Sequence, residues 1–188
     1  MIISGKHNYV NIGIPKTASV SMRKWLLRHC AGRDAGAHHG WDWPKYAHSD
    51  NPLVFAVVRN PYARCYSLWK WETHTALSGG IQIEPACPFD RFLEMLIAHN
   101  REPHIYMNQA DYIEAGNITC LPRLENLRQE LKQLPFGGDV INMFPHLNAN
   151  SGINKPLKHY YTKQTEALVW EYCQKEFGML GYERMVAL

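Results

Sequence analysis

The sequence predicts an α/β fold: a central parallel β-sheet flanked by helices, in a single domain spanning residues 1–188. Three observations carry this expectation. Short apolar, β-branched runs alternate with segments of helical periodicity, the pattern of strands crossing over through helices. One run, Leu53–Val58 in "PLVFAVV", has the continuous apolar character of a strand buried on both faces. A chain of 188 residues has the length of one domain with a substantial core.

The elements follow in order. Tyr9–Ile14 is the first strand, halted at Pro15, and Ser19–His29 reads as a helix with apolar Val20, Met22, Trp25, Leu26 and Leu27. Residues 31–50 are rich in Gly, His, Asp and Trp and read as loop, with a short strand over Ala37–His39. Leu53–Val58 is the next strand; it breaks at "RNP" into a helix over Tyr62–His74. "SGGIQIEPACP" carries turn chemistry. "PFDRFLEMLIAHN" places Phe89, Phe92, Leu93, Leu96 and Ile97 on one helical face. A helix over Ile105–Ala115, a strand over Asn117–Leu121 and a helix in "ENLRQELKQL" follow. After the Gly- and Asn-rich residues 137–154, a helix over Thr162–Phe177 closes the chain, with Gly178 as its expected stop.

Composition narrows the function. With 46% hydrophobic and 20% charged residues the chain is globular in character. A formal charge of +3 suits an anionic small ligand and gives no case for a nucleic-acid partner. No apolar run reaches membrane-spanning length. The N-terminus has no basic segment followed by an apolar signal region, so a cytoplasmic protein is expected. The five cysteines are scattered without a CxxC pair, which points to buried free thiols rather than a zinc or redox motif. His38, His39 and His48 lack the accompanying carboxylates or cysteines of a metal cluster, and no metal is expected.

In parallel sheets ligands bind beyond the carboxyl ends of the strands. Two unusual turns lie there. The first, "PKTASVS", joins a strand to a helix N-terminus, where unpaired N–H groups and the helix dipole attract oxyanions. Pro15 fixes the strand exit, Ala18 and Ser19 keep the wall low, Thr17, Ser19 and Ser21 offer hydroxyls, and Lys16 adds charge. The plain alternative is a serine-capped helix with a surface lysine. The nucleotide-triphosphate motif G-x-x-x-x-G-K-[ST] is absent, which weakens a kinase reading. The second turn, "VVRNPYARCYSLW", places Arg59 at a strand end and Ser67 two turns into a helix. Arginine gives paired hydrogen bonds to phosphate. The alternative has Arg59 paired with a carboxylate and Ser67 facing its own helix.

The pair "PKTASVS" and "RNPYARCYS" resembles the two-part signature of sulfotransferases that use 3′-phosphoadenosine-5′-phosphosulfate (PAPS). The blocks "NQADYIEAGNITCLPRLENLRQELKQL", "PHLNANSG" and "YYTKQTEALVWEYCQKEFGMLGYE" extend the similarity, in family order, to the carbohydrate-type sulfotransferases and their shorter bacterial and viral members. The resemblance implies a P-loop-NTPase-like sulfotransferase fold. It assigns Lys16, Thr17, Ala18, Ser19, Val20 and Ser21 to the 5′-phosphosulfate, and Arg59 and Ser67 to the 3′-phosphate. Lys16 would also steady charge on the leaving oxygens, and "NANSGINKPLK", with Lys155 or Lys158, would close over the nucleotide.

Sulfuryl transfer also needs a base for the acceptor proton, and histidine titrates near neutrality. Related enzymes carry theirs between the two turns, where this chain has "AGAHHGWD". On an extended segment His38 and His39 point to opposite faces. His39, beside Gly40, is the preferred base and His38 the reserve; the alternative makes both ordinary loop histidines. Trp41, Trp43, Tyr66, Trp69 and Trp71 are candidates to stack on an acceptor, or to serve as core. The chain is short for a polysaccharide groove, so a small or carbohydrate acceptor is expected. The competing functions are a small-molecule kinase of related fold and a non-catalytic nucleotide-binding protein.

Overall fold

The computed structural model describes residues 1–36, 40–74, 87–98, 107–145 and 156–185. They fall into two compact units: Met1–Arg59 with Asp111–Ala149, and Asn60–Ala110 with Asn150–Leu188. Among the described residues the architecture is α/β, with a four-stranded mixed sheet and seven α-helices.

The sheet belongs to the first unit. Its strands are β1 (Ile2–Ser4), β2 (Tyr9–Asn11), β3 (Arg33–Asp34) and β4 (Leu53–Phe55), in the order β3-β1-β2-β4. β2 and β4 run parallel, with Val10 opposite Val54, and the helix α1 (Ser19–His29) lies in the chain between them. β1 folds back antiparallel on β2 through the four residues Gly5–Asn8, with Asn8 at φ 49. β1 also pairs antiparallel with β3. The predicted strand over Asn117–Leu121 forms an isolated parallel bridge, Phe55 to Cys120, followed by another, Val58 to Arg123. The predicted strand ends at Ile14 and Val58 extend past β2 and β4, and Ile12 N–H still bonds the Phe55 carbonyl at 3.0 Å. Residues 54–58 are buried throughout, as a strand covered on both faces requires.

α1 matches its predicted bounds, although Val20 and Leu27 of its five predicted apolar residues are exposed. Met22, Trp25 and Leu26 are buried against Tyr9, Phe55 and Phe136, and Trp25 Nε1 donates to the Val140 carbonyl at 2.9 Å. The expected helix over Ile105–Ala115 is found as α4 (Gln109–Ala115), with Met107 and Asn108 outside it, and the one in "ENLRQELKQL" as the shorter α5 (Leu127–Lys132), preceded by a 3-10 turn over Leu124–Asn126.

The second unit holds α2 (Pro61–His74), α3 (Phe89–Ala98), α6 (Lys163–Tyr172) and α7 (Gln174–Leu180) around Tyr62, Tyr66, Phe92, Leu93 and Phe177. The closing helix differs from expectation. It breaks at Cys173, and Gly178 lies inside α7, which ends at Gly181 in the left-handed conformation at φ 64. The stop depends on that conformation, which glycine adopts without steric cost. All five cysteines are free, four of them buried. No helix among the described residues is long and apolar enough to cross a membrane.

Glu166 on α6 accepts two bonds from Arg184, Nε at 3.0 Å and Nη2 at 2.9 Å, and one from the Tyr62 hydroxyl at 2.5 Å. Arg184, opposed by burial and aided by Tyr62, holds the Glu166 carboxyl below its ordinary value of 4.5. A depressed carboxylate stabilises the fold fully above its unfolded value, and that contribution is lost as pH falls through the folded one. The melting temperature of wild type should therefore exceed that of Glu166→Gln at neutral pH. The gap should close on acidification below about pH 4.5; a gap independent of pH would show that the carboxylate charge is not what stabilises.

Candidate oxyanion site

In the first unit the chain turns sharply between β2 and α1. Pro15 ends the extended chain, and the next three residues turn it into α1. Lys16 and Ala18 adopt the left-handed conformation, at φ 69 and 63, whereas Thr17 between them does not. Such alternation turns successive backbone N–H groups toward one side, the geometry of an anion-binding nest. A left-handed conformation costs a non-glycine residue about 1–2 kcal/mol, so the turn is held by its surroundings.

Two contacts hold it. The Thr17 hydroxyl, almost fully buried, donates to the Ile14 carbonyl at 2.9 Å. The hydroxyl therefore braces the turn and is not directed to a ligand. From 43 residues along the chain, Arg59 Nη1 donates to the Lys16 carbonyl at 3.1 Å. The two predicted anion elements of this unit thus meet directly. They do so because β2 and β4 are parallel neighbours, so the chain leaves both on the same side of the sheet.

α1 begins with Ala18 at the cap position, and no side chain caps it. The serine-capped alternative is not what forms. Its first intrahelical bond runs from Met22 N–H to the Ala18 carbonyl at 2.9 Å, and no acidic residue occupies the first turn. The helix thus presents the positive end of its dipole, with no acidic residue in its first turn. Ser19 and Val20 are at this end. Ser21, one residue on, is buried.

Beside this first turn a cavity of about 140 Å³ is lined by Asn11, Gly13, Ser19, Val20 and Arg23, together with Met1 and Ile2. Pockets that enclose whole small molecules run to about 300–1,000 Å³; this one is smaller and open to solvent. Of the predicted anion-binding residues only Ser19 and Val20 line it; Lys16, Thr17, Ala18 and Arg59 do not, and its cationic side chain is Arg23. It is ion-paired to Asp34, whose carboxyl it draws down to about 2 with help from the Gly36 N–H. The sequence reading missed Arg23 and Asn11. The signal for Arg23 was its spacing: it lies four residues after Ser19 and so shares that face of α1.

The remaining predicted residues fall elsewhere. Ser67 is in the second unit, buried on α2. His38 and His39, with the short strand expected at residues 37–39, lie outside the described residues, as does Lys155. Lys158 is exposed in a 3-10 turn of the second unit. The Trp41 side chain lies outside what the structure describes. The other aromatic candidates are built into the units: Trp43 Nε1 donates to the Gly116 carbonyl and Trp69 Nε1 to that of Cys87, each at 2.8 Å. Tyr66 is buried, and Trp71 packs against the same core. Among the described residues no group of three or more His, Cys, Asp and Glu could hold a metal ion. Compared with known protein families, curated proteins and solved structures, the chain finds no match.

Proposed function

We propose that this chain is a PAPS-dependent sulfotransferase with the P-loop-like fold that the sequence resemblance implies. It moves a sulfuryl group to a hydroxyl of a small or carbohydrate acceptor and releases 3′,5′-ADP. The observation that carries the reading is the bond from Arg59 to the Lys16 carbonyl, which joins a phosphate-type arginine to a nest-shaped turn at a helix N-terminus. The absence of the glycine-rich triphosphate motif favours this donor over ATP.

PAPS supplies a sulfuryl group on a phosphate that leaves readily. In the proposed reaction the acceptor oxygen forms a bond to sulfur as the bond from sulfur to the bridging oxygen breaks. The electron pair departs with the 5′-phosphate. The residues' tasks are positional and electrostatic. The N–H groups of residues 16–21 cradle the 5′-phosphosulfate. Lys16 neutralises charge gathering on the bridging oxygen, where stabilisation counts most. Arg59 binds the 3′-phosphate, which distinguishes PAPS from ATP. His39, or His38 in its place, takes the acceptor proton. The reading needs no metal and no nucleic-acid partner.

Thermal unfolding with added nucleotide tests the donor. 3′,5′-ADP should raise the melting temperature of wild type and much less that of Arg59→Ala, whereas ATP with magnesium should not. Stabilisation by ATP with magnesium alone would overturn the reading in favour of a kinase.

A further inference from the structure

The second unit contains a recess of about 480 Å³ where α3 and α6 begin, lined by Phe89, Asp90, Tyr160, Thr162, Lys163 and Gln164. It is open to solvent, a surface recess and not an enclosed pocket. The wall is aromatic and fixed by packing. The Phe89 ring lies 5.3 Å from Trp69 and 5.0 Å from Tyr161, and the Tyr160 ring lies 4.6 Å from Tyr66. The start of α6 is fixed as well. Thr162 accepts from Thr165 N–H at 3.2 Å, and Thr165 Oγ1 accepts from Thr162 N–H at 2.9 Å, a reciprocal capping box.

That box engages both threonine hydroxyls and leaves the charged groups to define the ligand. Asp90 and Lys163 are exposed and line the same recess, yet they form no ion pair with each other. Asp90 Oδ1 accepts only from the neighbouring Arg91 N–H, at 2.8 Å. A cationic ligand would gain from Asp90 and be opposed by Lys163; an anionic ligand meets the reverse. A zwitterion gains from both. We propose that this recess binds a free amino acid with an aromatic or large apolar side chain, its ammonium on Asp90, its carboxylate on Lys163 and its side chain against Tyr160 and Phe89. The inference concerns the second unit alone and does not rest on the sulfotransferase reading.

Both charges are exposed, so each contributes about two- to fivefold in affinity. Calorimetry or NMR titration of the full chain with L-phenylalanine, 2-phenylethylamine, 3-phenylpropionate and a neutral methyl glucoside provides the test. L-Phenylalanine should bind saturably and about two- to fivefold more tightly than either singly charged analogue. Asp90→Asn should bring its affinity down to that of 3-phenylpropionate, and Lys163→Gln down to that of 2-phenylethylamine. Thermal melts check that both variants fold; should one fail, the other decides alone. The proposal is overturned if L-phenylalanine gives no saturable signal up to its solubility, if neither variant changes its affinity, or if the glucoside binds more tightly.

Discussion

Glu176→Ala is expected to lower the unfolding free energy by about 3–5 kcal/mol, the cost of removing one partner from a buried ion pair. Glu176 is fully buried in the second unit. Its two oxygens accept from the Gln109 N–H and from Gln109 Nε2, each at 2.7 Å. Arg64 Nη1 lies 3.7 Å from the same carboxylate, with the arginine side chain only 3% exposed. Arg64 Nη2 donates to the Met107 carbonyl at 2.8 Å, which fixes the guanidinium but does not neutralise it. Alanine would leave a cation in the interior facing a cavity, and would strip both Gln109 donors of their acceptor. Guanidinium-chloride unfolding checks this against Glu94→Ala, whose exposed pair with Arg91 should be worth no more than about 1 kcal/mol. Equal losses from the two substitutions would refute the assignment of Glu176 as the unit's central buried charge.

Lys16→Ala is expected to reduce turnover of PAPS to 3′,5′-ADP by about 10²–10³-fold, the usual effect of removing one group aimed at developing charge. The affinity for 3′,5′-ADP should fall far less, because a charge that matters most as the leaving group forms contributes little to ground-state binding. The backbone separates this effect from misfolding. Alanine at φ 69 bears the same left-handed cost as lysine, so the melting temperature should hold. Lys16→Arg, which keeps the charge on a differently shaped head, should recover part of the rate. Slow donor hydrolysis provides the rate and calorimetry the affinity; parallel losses in both would make Lys16 a binding group only.

How much of this was legible in the sequence depended on the length of the signal. The eleven residues of α1 carry three turns of apolar periodicity, and their bounds could be read directly. β1 and β3 are three and two residues long, too short for any period to show, so the sheet's antiparallel side went unseen and the strand order with it. The proximity of Arg59 to Lys16 was legible in outline, since adjacent parallel strands release their chains on one side. The shape of the turn was not. Glycine normally announces a left-handed backbone; here lysine and alanine adopt it, and the hydroxyl of Thr17 consequently turns inward to Ile14. The Arg64–Glu176 pair joins residues more than a hundred positions apart and leaves no local trace.

The brevity of β3 has its own consequence. An unpaired edge is a template on which a second chain can add a strand. Here that margin offers only Arg33 and Asp34, both exposed and charged, with Arg23 salt-bridged across to the aspartate. Ala35 then directs its N–H back to the Met1 carbonyl. A visiting strand would find two residues of ladder and a layer of hydrated charge, too little for stacking copies into fibres along this border.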